Sequence, residues 1–254
     1  MAADPASASS GEATVAVISD IHANLEALRA VLADIRARGA AEILCLGDNV
    51  GYGGDPEAVV GLLRSSGVVS IMGNHELGLT SDKRRRWFNP LARQALARTA
   101  ELLSAESLAY LTGLPRVLIR HGARLVHGTP PESTGRYLFE YAAGELPELF
   151  ARFPEELCFV GHTHELVLVT ADGSTVRREE FPAKPVVLPP GTRAIVNAGA
   201  VGQPRDGDPR AKYILWWPLA RRLEVRRVPY DTAAAAARIR DRGMPEQYAR
   251  ILEA

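Results

Sequence analysis

Thr14-Val15-Ala16-Val17-Ile18-Ser19-Asp20-Ile21-His22-Ala23-Asn24-Leu25 is the stretch that decides the fold. Thr14 to Ser19 is rich in β-branched residues, whose stiff side chains suit a pleated strand. Asn24 stands where a helix cap belongs. Leu25, Leu28, Leu32 and Ile35 follow at helical spacing, and Gly39 closes the helix. Asp20 and His22 occupy the gap directly beyond the strand.

The same unit repeats downstream. Ile43 to Leu46 is a second apolar run, followed by a glycine-rich turn and by Asp55-Pro56, a cap with proline at the first helical position. Val68 to Met72 reads as a third strand. Strands alternating with helices at this spacing predict parallel βαβ units, whose ligands gather beyond the carboxyl ends of the strands. Asp20, Asp48 and Asn74 all stand there. Asn89 to Leu111 is helical, opening with Asn-Pro and broken near Ser104, and is expected to cover one sheet.

The second half alternates strands with turns: Val117 to Ile119, Arg124 to His127, Leu157 to Val160, Leu166 to Thr170, Ala194 to Asn197 and Tyr213 to Trp217. This predicts a second, largely antiparallel sheet. Pro182 to Pro190 carries four prolines and reads as an extended surface connection, while Thr232 onward reads as one or two helices. No internal repeat or domain boundary is visible, so one domain over 14–254 is expected behind a disordered tail, Met1 to Ala13.

Composition narrows the function classes. The 254 residues include 30 basic and 30 acidic side chains, so no long-range field draws the molecule toward nucleic acid or an anionic membrane. Any attraction to phosphate must be local. Cys45 and Cys158 each sit in an apolar strand run and read as buried free thiols. No segment reaches the roughly 18 consecutive apolar residues of a membrane helix, and the first residues lack the charge and apolar pattern of a secretory signal. A cytoplasmic protein is expected. Trp216, Trp217 and the helical end could bury against a second copy, leaving a homo-oligomer open.

The chemistry sits at the strand ends. Asp20-Ile21-His22 offers two side chains to one cation. Gly47-Asp48-Asn49 adds a carboxylate able to bridge two cations. Gly73-Asn74-His75-Glu76 offers an amide oxygen and an imidazole that need not bind metal. His127 ends one strand, and Gly161-His162-Thr163-His164 ends another with both imidazoles on one side, since strand period is two. Taken alone, each Asp or Asn also fits a turn or cap, and the histidine pair also fits a surface. Together they are far more specific, because five of the six histidines fall in these motifs. The sixth, His121, reads as a surface residue. Imidazole, carboxylate and amide oxygen without thiolate suit manganese, iron, zinc, cobalt or nickel, and so many nitrogens disfavour calcium.

These residues, in this order, resemble the calcineurin-like metallophosphoesterase superfamily. Its pattern of Asp-x-His, Gly-Asp, Gly-Asn-His-Glu, His and Gly-His-x-His is matched throughout, over roughly residues 14 to 217. Ser19 to Glu26 and Asn197 to Asp206 look like its small prokaryotic phosphodiesterase branch. The resemblance implies an α/β fold, a four-layer α/β/β/α sandwich of two mixed sheets, and two divalent transition-metal ions with manganese first. One ion would take Asp20, His22 and His164, the other Asn74, His127 and His162, with Asp48 between them. His75 would stand free as the acid, and Asn74 would also contact substrate.

Two departures stand out. Protein phosphatases and dinucleoside tetraphosphatases place Asp-Arg-Gly after the bridging aspartate, whereas this chain has Val50-Gly51-Tyr52-Gly53-Gly54. Where Asn-Pro-Gly-Ser is usual, this chain has Asn197-Ala198-Gly199-Ala200 and loses a hydroxyl.

The resemblance implies hydrolysis of a small phosphoester, with phosphodiesters ahead of phosphomonoesters and nucleotides. Hydroxide held at the metals would attack phosphorus in line while His75 donates a proton to the departing oxygen. Arg205, in a Gly- and Pro-rich loop, could fork onto the phosphate or pair with Asp206 or Asp208. Lys83 to Phe88 joins basic residues to aromatics, as nucleic-acid grooves do, but zero net charge favours a solvated loop. The rival from another class is a non-catalytic protein-interaction scaffold, as one retromer subunit of this fold is. A scaffold has no physical need for a full ligand set with His75.

Overall fold

The computed structural model describes residues 13–173 and 175–253. Of the stretch read as a tail, all but Ala13 lies outside them.

In chain order, β1 (Val15–Ile18), α1 (Leu25–Ala37), β2 (Glu42–Cys45), α2 (Pro56–Ser65) and β3 (Val69–Ser70) form the parallel units expected. Four helices follow: α3 (Asn74–Leu79), α4 (Asp82–Arg85), α5 (Pro90–Leu102) and α6 (Ala105–Thr112). Then come β4 (Val117–Arg120), β5 (Ala123–Val126), α7 (Leu146–Ala151), β6 (Leu157–Val160), β7 (Leu166–Asp172), β8 (Thr175–Glu180), β9 (Val186–Val187) and β10 (Arg193–Ala198). β11 (Ala211–Trp217), β12 (Arg222–Val228), α8 (Thr232–Asp241) and α9 (Glu246–Glu253) close the chain.

Two six-stranded sheets result, ordered β3-β2-β1-β11-β12-β9 and β4-β5-β6-β10-β7-β8. Side-chain alternation stacks them. Val15 and Val17 of β1 point into a core shared with Leu125, Phe159, Leu168 and Val196 of the second sheet. Ala16 and Ile18 point the other way, onto Leu28, Val31 and Ile35 of α1. Likewise Cys158 and Val160 of β6 turn outward onto Leu146, Leu149 and Phe150 of α7. Helix, sheet, sheet, helix is therefore the layer order, an α/β sandwich of two mixed sheets.

Several local expectations change. Tyr213 to Trp217 belongs to the first sheet, pairing antiparallel with β1, so it is the strand that makes that sheet mixed. The second sheet is less antiparallel than expected, because β6 runs parallel to both β5 and β10. β3 has only two residues, since Met72 leaves the ladder and donates to the Pro115 carbonyl. The proline-rich connection contains β9, a two-residue edge strand on β12. β8 and β12 are strands beyond those expected, and the exposed charged face of β8 carries no apolar alternation.

The helix starts follow their caps. Asn24 Oδ1 accepts from Ala27 N at 3.0 Å, and Ser104 caps α6 at the break expected there. Asp55 starts α2 without capping it, because its carboxylate is taken by Arg238 of α8. Both cysteines are buried and free. Among the described residues, no helix is long and apolar enough to cross a membrane.

Phe159 is fully buried between the sheets, with its ring 5.1 Å from that of Trp216. Phe159→Ala should lower the free energy of unfolding by about 3 to 5 kcal/mol in a urea titration. A loss below about 1 kcal/mol would mean the two sheets do not share this core.

Candidate metal centre

Loops leaving the carboxyl ends of β1, β2, β5 and β6, together with the start of α3, converge on one point. Backbone bonds stitch them: Asp20 N to Gly47 O at 3.1 Å, His22 N to Asp48 O at 2.9 Å, and Gly161 N to His127 O at 2.8 Å. Asp20, His22, Asp48, His162 and His164 all have φ between 48° and 70°. That left-handed region costs a non-glycine residue of order 1 to 3 kcal/mol, and such outliers cluster where function demands them.

Glu76 is the hidden organiser. Fully buried, it accepts from Gly73 N at 2.8 Å, Asp48 N at 2.9 Å and Asn49 N at 2.8 Å, joining the loops after β2 and β3. Burial and the Asp48 carboxylate push its own carboxyl up to about 7, against the pull of those N–H groups. Gly73 is required there, since a Cβ would lie 2.1 Å from Asp48 Oδ1.

Four of the five imidazoles are each oriented by a backbone carbonyl, whereas His75 Nδ1 is buried with no hydrogen-bond partner among the described residues. Nδ1 of His22, His127 and His164 lies 3.3, 2.9 and 2.6 Å from the carbonyls of Val50, Leu46 and Gln203. His162 uses its other nitrogen, Nε2, 3.3 Å from the Gly135 carbonyl. A carbonyl only accepts, so each of these nitrogens carries a proton and the opposite nitrogen is the one able to offer a lone pair, His127 only after giving up the second proton that the Asp48 carboxylate favours. The lone pairs face one another and the acids. His22 Nε2 is 3.0 Å from His164 Nε2, and His127 Nε2 is 3.0 Å from Asn74 Oδ1 and 3.1 Å from Asp48 Oδ2. Asp20 Oδ1 is buried with no hydrogen-bond partner among the described residues.

Acceptors packed against acceptors repel unless a cation lies between them, so this donor set fits a metal. Among the described residues, three groups have ligand atoms close enough to hold an ion: Asp20, His22 and His164; Asp48, His127 and His162; and His22, Asp48 and His75. Asp48 appears in two of the groups. Burial pulls the His127 imidazole down, but the Asp48 carboxylate outweighs it and the group reaches about 9. Both Asp20 and Asp48 are held well below the usual carboxylate range despite burial, by the surrounding histidines. Burial lowers His75 and His162 to about 3.

Every residue singled out in the Asp, Asn and His motifs is therefore brought to the same place. His75 packs edge-on against Tyr52 at 4.5 Å and Phe88 at 5.0 Å. Arg205 is exposed at the rim, with its guanidinium 6.0 Å from the Tyr52 ring and 3.3 Å from Gln203 Oε1. It pairs with neither Asp206 nor Asp208, because Asp206 takes buried Lys212 at 2.6 Å and Asp208 takes Arg210. His121 lies elsewhere, 2.6 Å from Glu42 at the surface.

Other contributors carry no motif. Tyr52, at φ 65°, lies 4.4 Å from the His22 ring and 4.3 Å from that of Tyr248 in α9. Tyr137 stacks on His162 at 3.9 Å. The orienting carbonyls belong to no residue type, and sequence gives no signal for them. The centre opens into a cleft of 980 Å³ whose wall includes Trp87, Tyr137 and Arg205.

This fold and this cluster of donors define a metallophosphoesterase. The sequence matches the calcineurin-like phosphoesterase superfamily domain over residues 14–216, and the chain belongs to that superfamily. It is 34% identical over 242 residues to an uncharacterized protein of Methanocaldococcus jannaschii, covering 91% of this chain and 94% of that one. A metallophosphoesterase crystal structure from Sphaerobacter thermophilus is 39% identical with a TM-score of 0.83, covering 96% of this chain and 99% of that one. A hypothetical protein from Pyrococcus horikoshii shares the fold at 22% identity and a TM-score of 0.77, covering 94% and 97%. Members of the superfamily use divalent metals in a binuclear centre.

If His127 is a ligand, metal and proton compete for its lone pair. Calorimetric titration with manganese should release protons, and binding should tighten as pH rises toward about 9. Binding independent of pH would remove His127 from the ligand set. Saturating metal should also raise the melting temperature, by the equivalent of about 2.7 kcal/mol at a hundredfold excess over Kd. Asp48→Asn should abolish that shift.

Proposed function

We propose that this protein hydrolyses small phosphodiesters with two divalent cations. One would be held by Asp20, His22 and His164, the other by Asn74, His127 and His162, with Asp48 bridging. Manganese leads the candidates and iron, zinc, cobalt and nickel follow, since the donors mix imidazole with carboxylate and amide oxygen and include no thiolate. When bound, the cations supply the charge that draws in the phosphate and give a nucleophile near neutral pH.

The observation that carries the diester reading is the open cleft above the centre. Its 980 Å³ leaves room for substituents on two phosphate oxygens. Charge supports the same choice. Arg205 is the cleft arginine set over the Tyr52 ring beside the centre, and Tyr52 stands in the stretch where related phosphatases keep an arginine. A diester carries one negative charge, a monoester up to two, so the diester asks less of that floor.

The residues divide the work. Asn74 and Arg205 orient the phosphate. His75 Nε2, 4.0 Å from Asp48 Oδ2, passes the proton to the departing oxygen. Burial lowers this imidazole to about 3, so acting as the acid requires it to take up a proton in the substrate complex, where the anionic phosphate favours the charged form. Tyr52 and Phe88 exclude water from one side. A non-catalytic scaffold would need neither four oriented imidazoles nor His75.

In His75→Ala, turnover of bis(p-nitrophenyl) phosphate should fall by about 10² to 10⁴ while both metals per chain remain. Loss of one metal would make His75 a ligand, and unchanged turnover would refute its role as acid. Arg205→Ala should raise KM more than it lowers kcat, and kinetics identical to the parent would remove Arg205 from the site.

A further inference from the structure

Beyond the metal floor, the cleft carries groups that hydrolysis of a simple diester does not use. Trp87 is 73% exposed, and among the described residues its ring meets no aromatic or cationic partner. Arg84 and Arg116 line the same cleft. Neither side chain makes an ion pair or hydrogen bond among the described residues. The other arginines there are committed. Arg136 lies 3.8 Å over the Tyr141 ring, Arg152 reaches the Tyr141 hydroxyl at 3.4 Å, and Arg205 reaches Gln203.

The layout is ordered by α3. This helix begins at Asn74, on the metal floor, and packs against both α4 and α6. Arg84 is in α4 and Arg116 follows α6, so both cations sit on segments joined to the elements that pack on this helix, and both line the cleft. Apart from Asp48, the acids lining the cleft are Glu132 and Glu140, and Glu140 lies 3.7 Å from Arg136. A chain of zero net charge therefore concentrates uncompensated positive charge where an exposed indole also stands. Guanidinium groups fork onto phosphate oxygens, and an exposed indole face offers a planar ring something to stack on.

We propose that the outer cleft is a nucleotide subsite, in which Trp87 stacks a base and Arg84 and Arg116 hold a second phosphate. The preferred substrates are then phosphodiesters of nucleotides that carry a further phosphate beside the one cleaved. What happens to the ligand rests on the phosphodiesterase reading above. The subsite itself does not, because it is built from residues away from the metal ligands.

The test separates the two. Binding to chelator-treated full-length protein is measured by calorimetry and by tryptophan fluorescence, using thymidine dinucleotide with and without a 5′-phosphate. The phosphorylated ligand should bind about tenfold tighter or more, and both should quench fluorescence. In the Arg84→Gln, Arg116→Gln double variant the two ligands should bind alike. Arg84→Lys keeps the charge and should keep part of the difference, while Arg29→Gln, on α1, should change nothing. Trp87→Leu should weaken both ligands and abolish the quenching.

Equal affinity for the two ligands in the parent protein, or a difference that survives the double variant, overturns the subsite. Hydrolysis of bis(p-nitrophenyl) phosphate by the manganese-loaded parent reports separately on the catalytic reading. If that hydrolysis is absent while the affinity difference holds, the subsite stands and the phosphodiesterase reading falls.

Discussion

Lone pairs packed against lone pairs are the constraint on which this structure turns. Four imidazoles, two carboxylates and an amide oxygen meet at the largely buried floor of the cleft, where their repulsion is felt more strongly than in bulk water. Left to itself, such a cluster would rotate its histidines away. The carbonyls of Leu46, Val50, Gly135 and Gln203 prevent this by holding the opposite ring nitrogens. The backbone is itself strained at five of the clustered positions, Asp20, His22, Asp48, His162 and His164. The rest of the fold acts as a frame that keeps repelling groups in place until a cation makes them attract.

The frame explains features that would otherwise look arbitrary. Parallel strands send all their loops to one end, and the two sheets bring two such ends together, so one sheet supplies Asp20, His22 and Asp48 and the other supplies His127, His162 and His164. Glu76 and Asn197 then brace the loops from within. Asn197 donates to Gly161 O at 2.9 Å and to Thr163 Oγ1 at 2.8 Å, shaping the turn that bears His162 and His164. Even the end of the chain is enlisted, since Tyr248 of α9 packs behind Tyr52 and Tyr52 packs behind His22 and His75.

How much of this was legible in sequence follows from what kind of interaction carried it. Side chains that act by their own chemistry were readable, hence every Asp, Asn and His of the centre. Strands with an apolar period were readable too, although Tyr213 to Trp217 was assigned to the wrong sheet, because pairing partners leave no mark on the strand itself. β8 was missed because charged residues cover its exposed face. The carbonyls that set the tautomers were invisible, since every residue has one. Tyr52 and Tyr137 were missed for a related reason, as an aromatic in a loop reads as ordinary packing until its ring is found on a histidine. Glu76 stands inside a recognisable motif, but its three backbone bonds depend on two loops meeting, which local sequence does not encode.

The same reasoning bears on charge. A balanced composition argues against a protein that seeks polyanions at long range, and the expectation of a solvated Lys83 to Phe88 loop came from that balance. Yet net charge is a sum over a surface, whereas a ligand in a cleft responds to the few groups within a Debye length, about 8 Å at physiological salt. Most acids here are spent locally: Glu42 on Arg120, Asp55 on Arg238, Glu155 on Arg124, Glu246 and Glu253 on Arg240. Pairing them away from the centre leaves Arg84, Arg116 and Arg205 to set the field inside the cleft. A neutral chain can thus present a basic mouth to a small anion while offering an extended polyanion no continuous track, which fits a small phosphoester better than a long nucleic acid.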